Sequence, residues 1–306
     1  MSLPFVEKYR PKSLDELIGH EAIISILSNS LTNLPNLLFY GPPGTGKTTT
    51  IRIIFKLLNL PPNSILELNA SDDRGIDVVR DRIKIYSSIK SETKKILVLD
   101  EVDSMSNDAQ NALRRIIEDY SNNVTFCLIA NYSNKIIPAI QSRCSKFRFK
   151  PVKNVKNKII EITTKENIKI TEEAIDILND NNDGDIRKLI NDIEGMSKMF
   201  DIIDKNNIHK FYREMDSSEI KKIYFLLTNN NCDVDSAKQL IDNARKQSLI
   251  DGETLIRKLG EEVKNGQLEN KMKILKEMSV IEQRLGVGCS QDVQINTLLH
   301  IFKLYN

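Results

Sequence analysis

The sequence has no tryptophan, only three histidines and only four cysteines, and the scarcity of cysteine and histidine limits the kinds of site it can form. The cysteines are too few for a disulfide framework and too far apart along the chain to coordinate a metal ion together. We therefore expect reduced thiols in a cytosolic or nuclear protein. The histidines form no ligand set either. These residues are Cys127, Cys144, Cys232, Cys289, His20, His209 and His300.

Long apolar runs and a strong excess of one charge are also missing. No run of about 18 apolar residues occurs, and the first twenty residues contain no apolar core, so neither a membrane span nor a secretory signal is expected. The 44 basic and 42 acidic residues leave a net charge of only +2. This balance excludes a protein that coats nucleic acid through bulk charge, and any DNA binding must come from locally placed residues.

The 306 residues allow two or three domains. In the first 150 residues, short apolar runs alternate with helix-length stretches, which predicts an α/β fold with a parallel sheet and crossover helices. The predicted strands cover residues 36–40, 65–68, 96–99, 124–130 and 145–149. Only helical patterns follow, first a three-helix unit and then four or five amphipathic helices. The expected domains cover residues 1–151, 152–215 and 216–306.

A phosphate-binding motif follows the first predicted strand. The residues Gly41-Pro-Pro-Gly-Thr-Gly-Lys47-Thr48 fit G-x-x-x-x-G-K-[ST] and stand between a strand and a helix, as that motif requires. Its glycines let backbone N–H groups turn towards a phosphate chain, and the helix dipole adds to the attraction. Lys47 supplies a positive charge for the β- and γ-phosphates, and the Thr48 hydroxyl can ligate Mg²⁺.

Two acidic residues end the most apolar of the predicted strands. Asp100 follows Ile96-Leu97-Val98-Leu99, so its carboxylate can reach a metal ion held by the phosphate-binding loop. Glu101 is the next residue and is placed to polarise an attacking water as general base. Together with the loop, the pair predicts hydrolysis of a nucleoside triphosphate.

Six segments resemble motifs of one known family and occur in that family's order. They are Pro4–Pro11, Leu68–Ile76, Asp100–Asp103, Asn131–Ile136, Gln141–Cys144 and Gly184–Arg187. The family is the AAA+ ATPases, and within it the small subunits of the clamp loader replication factor C. The resemblance covers nearly all of about the first 190 residues, and the last 90 or so are similar only as an all-helical collar. Phe5 stands where the family usually has Trp, and Val102 where it has Ala; neither change removes a polar group.

The resemblance implies a fold and an activity. The fold is an AAA+ parallel-sheet P-loop domain, followed by a three-helix lid and an all-α C-terminal collar domain. The activity is ATP hydrolysis with Mg²⁺, with Thr48 and Asp100 on the metal. Asn131 is expected as the first sensor residue, Arg187 as the second, and Val6 and Ile18 as walls for the adenine. The expected ATP-binding residues are Val6, Ile18, Gly41, Pro42, Pro43, Gly44, Thr45, Gly46, Lys47, Thr48, Thr49, Asn131 and Arg187.

Arg143 is the one motif residue for which the resemblance implies a role outside its own chain's site. In the family, the arginine of the Ser-Arg-Cys segment completes the site of the neighbouring subunit as an arginine finger, an effect worth about 10³–10⁵ in rate where such fingers act. The resemblance therefore implies that the chain works in a hetero-oligomeric ring, expected to be a pentamer. The catalytic residues expected are Lys47, Glu101, Asn131, Arg187 and, acting in trans, Arg143.

The implied partners are the other clamp-loader subunits, a sliding clamp and primer–template DNA. Arg74 lies at a turn, and Arg80 and Lys84 lie one helical turn apart on the next predicted helix. The resemblance places this helix against the phosphate backbone of DNA, where several subunits add their contacts and binding depends strongly on salt.

Two other functions fit parts of the sequence. Another AAA+ DNA motor, a helicase or a branch-migration motor, fits the ATP-binding motifs equally well but not the Ser-Arg-Cys and Asn-Ala-Ser-Asp segments. A structural clamp-loader subunit could bind ATP without efficient hydrolysis, although intact Lys47, Asp100 and Glu101 favour hydrolysis. The implied role, and a segment over residues 144–149 that resembles eukaryotic members, place the protein in the nucleus.

Overall fold

The computed structural model describes residues 3–71, 76–89, 95–212, 217–229, 234–248 and 252–305. The chain forms two compact units, Met1–Asp201 and Ile202–Asn306. The three-domain division expected from the sequence stays a prediction.

A five-stranded parallel sheet is the centre of the first unit. Its strands are β1 (Leu37–Tyr40), β2 (Ile65–Asn69), β3 (Lys95–Asp100), β4 (Val124–Ala130) and β5 (Ser145–Arg148). Neighbouring strands follow the order β2-β3-β4-β1-β5. Every residue of β4 is buried, as are the first five of β3, which explains why both strands are apolar apart from Lys95, Asp100 and Thr125. The expected α/β fold with a parallel sheet is confirmed.

Helices cover both faces of this sheet. The short helix α1 (Phe5–Lys8) comes first in the chain and takes no part in the two cores at the sheet. The helices at the sheet are α2 (Glu21–Ser30), α3 (Lys47–Leu57), α4 (Ile76–Ser88), α5 (Asn107–Tyr120) and α6 (Pro138–Gln141). On one face, Leu97 and Phe126 of the sheet share a core with Leu113 of α5. On the other face, Phe39 and Ile129 share a core with residues of α2 and α3. Alternate residues of each strand therefore belong to different cores.

The strand order brings three chain segments to one edge of the sheet. β1 lies beside β4 and β4 beside β3, and all run in the same direction. The Gly41 N–H donates to the Ala130 carbonyl at 3.3 Å, which joins the loop after β1 to the end of β4. Because the three strands are parallel neighbours, Gly41, Asp100 and Asn131 meet at the edge formed by their carboxyl ends. This is the edge at which α/β proteins bind ligands.

Three further helices complete the first unit. They are α7 (Lys156–Lys165), α8 (Glu172–Asp180) and α9 (Ile186–Met199), with the short strand β6 (Lys169–Ile170) between the first two. Thr171 caps α8 by accepting from the Ala174 N–H at 3.3 Å. Asp185 caps α9 in the same way, accepting from the Lys188 N–H at 2.9 Å.

The N-terminal helix α1 is attached to these last helices. It has only four residues, too few to be stable alone, and the sequence pattern did not predict it. The Phe5 N–H donates to Glu194 of α9 at 2.8 Å, and the Tyr9 hydroxyl donates to the Glu166 carboxylate. Lys8 forms an ion pair with the same Glu166 carboxylate. Polar contacts therefore fix the segment around Val6 against α9.

The second unit is helical apart from the two-residue strand β7 (Ile202–Ile203). Its helices are α10 (Lys205–Tyr212), α11 (Ser217–Thr228), α12 (Val234–Ser248), α13 (Gly252–Asn265), α14 (Lys271–Gly286) and α15 (Gln291–Tyr305). Buried residues of α11 to α15, such as Ile223, Ile241, Leu259 and Phe302, form one core. No helix in the described part of the chain is both long and apolar enough to cross a membrane.

Gly184, between α8 and α9, provides a test of this packing. Its φ is +91°, and a Cβ placed there would lie 2.2 Å from the Pro151 Cβ. We expect Gly184→Ala to lower the free energy of unfolding by about 2–4 kcal/mol, because left-handed strain and overpacking add. Gly288 has the same φ with open space around it, so Gly288→Ala should cost only about 1 kcal/mol. Equal losses in urea unfolding of the two variants would contradict the packing argument.

Candidate nucleotide-binding site

A cleft in the first unit collects most of the residues expected to bind ATP. It is bordered by the phosphate-binding loop, by the segment that follows α1, by the ends of β3 and β4, and by the start of α9. The lining residues expected from the sequence are Val6, Ile18, Pro43, Gly44, Thr45, Gly46, Lys47, Thr48, Thr49, Asp100, Glu101, Asn131 and Arg187. Gly41 and Pro42 take part through their carbonyl oxygens, which Lys47 contacts.

Glycine is required at two positions where the loop after β1 passes close to other parts of the chain. Gly41 has φ +148°, and a Cβ there would lie 2.1 Å from the Phe149 carbonyl oxygen. Gly44 has φ +68°, and a Cβ there would lie 1.7 Å from the Asp185 carboxylate at the start of α9. The loop therefore forms a cradle that side chains would fill, and its glycines and following helix N-terminus suit the phosphates of a nucleotide.

Lys47 is buried at the centre of the cleft. Its ammonium donates to the Gly41 carbonyl at 2.6 Å, to the Pro42 carbonyl at 2.8 Å and to the Asn131 Oδ1 at 3.0 Å. Burial lowers the pKa of Lys47 to about 8, while the charges of Asp100 and Asp103 act in the opposite direction. The ammonium is thus charged at pH 7, with its donors directed at acceptors of the loop and of the neighbouring strand.

The residues expected at the metal ion lie in contact with each other. The Thr48 hydroxyl donates to the Asp100 Oδ2 at 3.0 Å, so one hydroxyl and one carboxylate oxygen meet at the start of α3. Oxygen ligands of this kind suit Mg²⁺.

Glu101 is exposed in the cleft and has a strained backbone. Its φ of 57° lies in the left-handed region, which costs a non-glycine residue about 1–2 kcal/mol. The Asp100 Oδ1 accepts from the Glu101 N–H at 2.9 Å and stabilises this turn. Strain of this kind collects at functional sites, and here it turns the chain sharply directly after Asp100.

Two side chains that sequence reasoning did not assign hold the loop after β4. Asp103 accepts from the Asn131 and Tyr132 N–H groups, each at 3.3 Å. Gln110, only 1 % exposed, donates to the Lys135 carbonyl at 2.9 Å and accepts from the Ile137 N–H at 2.9 Å. Asp103 closes the Asp-Glu-Val-Asp segment that carried the resemblance, whereas Gln110 had no signal beyond being polar on an apolar helix face.

His20 is a third residue whose role appears only in the fold. Its side chain is 5 % exposed and packs edge-on against Phe149, with ring centroids 4.7 Å apart. Its Nε2 lies 3.0 Å from the Thr45 carbonyl oxygen, so the neutral ring donates from Nε2 to the phosphate-binding loop. Burial lowers the pKa of His20 by disfavouring the charged imidazolium.

The far end of the cleft is apolar. Val6 and Ile18 lie there half-buried, together with Leu17, Ile186 and Ile190, which suits a flat base. Tyr9 and Lys158 line the cleft as well, and neither was expected from the sequence. Arg187 is exposed in the first turn of α9 and lines the same cleft.

The remaining expected residues lie elsewhere. Arg143 follows α6 and does not appear among the described residues that line the cleft. Lys84 is exposed on α4. Arg74 and the side chain of Arg80 lie outside the part of the molecule that is described.

The lowered pKa of Lys47 predicts how nucleotide affinity depends on pH. Bound phosphate favours the charged ammonium, so ATP affinity measured without metal should weaken as the pH rises through about 8 and the free protein loses this proton. We expect the dissociation constant to rise about fivefold between pH 8 and pH 9. The Lys47→Arg variant keeps its charge and should show a flat profile; parallel profiles in titration calorimetry would refute this origin of the dependence.

The environment of His20 predicts a loss of stability in acid. Because its pKa is lowered in the folded protein, the unfolded chain takes up the proton first once the pH falls below about 6.5. The free energy of unfolding should therefore fall between pH 7.5 and pH 5.5, and should fall less in His20→Asn. His300→Asn, at an exposed histidine, should behave as the wild type in the same urea titrations. A wild-type pH slope in His20→Asn would count against this account.

Comparisons with known proteins agree with this geometry. Residues 37–152 match the model of the ATPase family associated with various cellular activities (AAA). The chain is 42 % identical to a probable replication factor C subunit 5 of Dictyostelium discoideum, over 99 % of this chain and 91 % of that protein. It is 36 % identical to the human replication factor C subunit 5 (99 % and 92 % covered) and 36 % identical to the replication factor C small subunit of Archaeoglobus fulgidus (96 % and 95 % covered).

Among solved structures, the chain is similar to the RuvB Holliday junction branch migration motor of Thermotoga maritima. The TM-score is 0.55 with 21 % identity, over 82 % of this chain and 91 % of that one. At this identity the likeness concerns the fold alone. These relatives are replication factor C subunits, and the chain matches them over nearly their full length. They do not favour the two alternatives that the sequence left open, another AAA+ DNA motor or a purely structural subunit. The chain therefore belongs to the replication factor C family of clamp-loader subunits, and its first unit carries an AAA ATPase domain.

Proposed function

We propose that this chain hydrolyses ATP within a hetero-oligomeric ring of clamp-loader subunits, expected to be a pentamer. The ring would open a sliding clamp and load it on primer–template DNA in replication and repair. One observation carries the proposal: a single cleft brings together Lys47, Asp100, Glu101 and Asn131, while Arg143 lies apart from it. In this proposal residues 1–151 bind the nucleotide, 152–215 form the lid and 216–306 form the collar that joins subunits.

Four polar residues of the cleft are proposed to act on the phosphates or on the attacking water. Lys47 would bind the β- and γ-phosphates, exchanging its present acceptors for phosphate oxygens. Asn131, fixed by Asp103, would hold the γ-phosphate or the attacking water by its amide. Glu101 would accept the proton of that water, and Arg187 would contact phosphate oxygens from α9.

The nucleotide and its metal ion fit the donors of the cleft. Mg²⁺ is proposed to be held by the Thr48 hydroxyl and the Asp100 carboxylate, whose oxygens are 3.0 Å apart. When bound, Mg²⁺ neutralises charge on the phosphate oxygens. The apolar end with Val6 and Ile18 would take the adenine, and the hydrogen bond from the Phe5 N–H to Glu194 joins α1, which carries Val6, to α9.

Arg143 is proposed to act on a neighbouring subunit. Its side chain is about one-third exposed, on the turn after α6, and its guanidinium is directed to α5 rather than to the cleft of its own chain. An arginine finger adds charge stabilisation in the transition state that a P-loop site otherwise lacks. A single subunit would then be a poor ATPase, and the ring would be the active form.

DNA binding is proposed for Arg74, Arg80 and Lys84. Lys84 lies exposed on α4, two residues after the exposed Arg82. Two to four phosphate contacts from one subunit are weak, but contacts from several subunits add up and make binding depend strongly on salt. This arrangement agrees with a net charge of only +2. A protein that works on replicating chromosomes in this way is proposed to be nuclear.

Removing Arg143 tests the proposal. In a reconstituted complex whose other sites are inactivated at their P-loop lysines, Arg143→Ala should lower turnover at the neighbouring site roughly 10³-fold, with clamp and primed DNA present. The affinity of the variant chain for ATP should stay at the wild-type value, because Arg143 does not contact its own cleft. Arg148→Ala, at an exposed arginine on β5, is the matched control. Wild-type turnover in the Arg143→Ala complex would refute the role in trans.

A further inference from the structure

The Arg143 side chain is held in place by contacts within its own chain. Its Nη2 forms an ion pair with the Glu118 carboxylate on α5, and its Nη1 donates to the Ala139 carbonyl at 2.6 Å. The Ser142 hydroxyl lies 3.4 Å from the same Nη1. A flexible arginine is thus fixed at both terminal nitrogens before any neighbouring molecule is considered.

The backbone beneath Arg143 is fixed as well. The Asn36 side chain donates to the Arg143 carbonyl at 3.4 Å and to the Ser121 hydroxyl at 3.0 Å. The Asn36 Oδ1 accepts from the Phe126 N–H at 3.0 Å, within β4. The turn that carries Arg143 is therefore joined to the end of α5 and to the centre of the sheet. The direction of the side chain is then set by Glu118, Ala139 and Ser142, and among these three Glu118 carries the charge.

A second arginine shares the same carboxylate. The Nε of Arg114 lies 3.6 Å from the Glu118 Oε1, one helical turn away on α5. This Nε atom is buried and makes no hydrogen bond to any described residue, so its interaction with Glu118 is electrostatic. The cluster of Arg114, Glu118 and Arg143 has two positive charges and one negative charge.

The charge sum decides what this cluster can do. A carboxylate that paired with Arg143 alone would cancel the charge that a finger brings to a phosphate. With Arg114 drawing on the same carboxylate, the cluster keeps one net positive charge while Arg143 keeps a fixed direction. A side chain fixed beforehand loses less conformational entropy when it engages its target, and small misplacements of a catalytic group cost as much as 100-fold in rate.

We propose that Glu118 is a positioning residue for Arg143, that it acts on catalysis at the neighbouring subunit's ATP site, and that Arg114 preserves the positive charge of the cluster. The inference rests on the proposed role of Arg143 in trans. It assigns to the pair on α5 a part in the reaction that neither residue could have in its own cleft, since the residues lining that cleft do not include them.

The experiment uses the complete complex with only the neighbouring site active. Glu118→Ala should lower kcat between about 10-fold and 100-fold and leave KM for ATP unchanged, because the substrate is bound by the neighbour's own residues. Glu118→Gln keeps an acceptor oxygen at the same distance and should stay within about threefold of wild type. Asp119→Ala removes the same charge from the next exposed position of α5 and serves as the control.

A double variant shows whether Glu118 acts through Arg143. Turnover of Glu118→Ala/Arg143→Ala should equal that of Arg143→Ala within about twofold. Further loss of turnover in the double variant would overturn the inference. Unchanged or raised turnover in Glu118→Ala would overturn it too, because that result is expected if Glu118 only masks the charge of Arg143. If the Glu118→Ala complex does not assemble, Glu118→Asp carries the same test, because it keeps the charge but withdraws the carboxylate from Arg143.

The two proposals fail in different ways. If Arg143→Ala lowers turnover but Glu118→Ala does not, the inference is wrong and the role of Arg143 in trans stands. If Arg143→Ala itself leaves turnover at the wild-type level, the proposed function is wrong at this residue, whatever Glu118 does.

Discussion

The buried ammonium of Lys47 is the interaction on which the site depends. It joins the carbonyls of Gly41 and Pro42, after β1, to the Asn131 amide at the end of β4. An ammonium buried in this way is stable only when its donors have acceptors, so the loop after β1 and the segment after β4 must keep their positions around it. The same burial lowers the pKa of Lys47 to about 8, which leaves the charge available for phosphate at neutral pH.

The second side of the cleft depends on contacts made across the first unit. Gly44 lets the phosphate-binding loop approach Asp185 at the start of α9, and α9 carries Arg187. Glu194 of the same helix accepts from the Phe5 N–H, so the segment with Val6 follows α9. The apolar end and the phosphate end of the cleft are therefore both connected to α9. A nucleotide that contacts both ends would fix the position of that helix.

Arg143 and the residues of the cleft lie at different places on the first unit. Lys47, Asp100 and Asn131 are directed into the cleft, whereas Arg143 is fixed on the turn after α6 by α5 and the sheet. Both arrangements depend on the same five-stranded sheet: the cleft lies at the carboxyl ends of β1, β3 and β4, while Arg143 lies two residues before the start of β5. One sheet therefore supports both groups and holds them at a constant separation.

The sequence by itself determined the strands, the phosphate-binding loop, the acidic pair Asp100 and Glu101 and the helical character of the second half, because these depend on local periodicity and on motifs whose residues are adjacent. It did not reveal α1 or β6, which are too short for a periodic pattern to be visible. Only the tertiary structure decided the strand order and the roles of His20, Gln110 and Glu118. Each of these side chains acts on backbone or charge about 25 residues away, and such pairings depend on which elements pack together rather than on neighbouring residues.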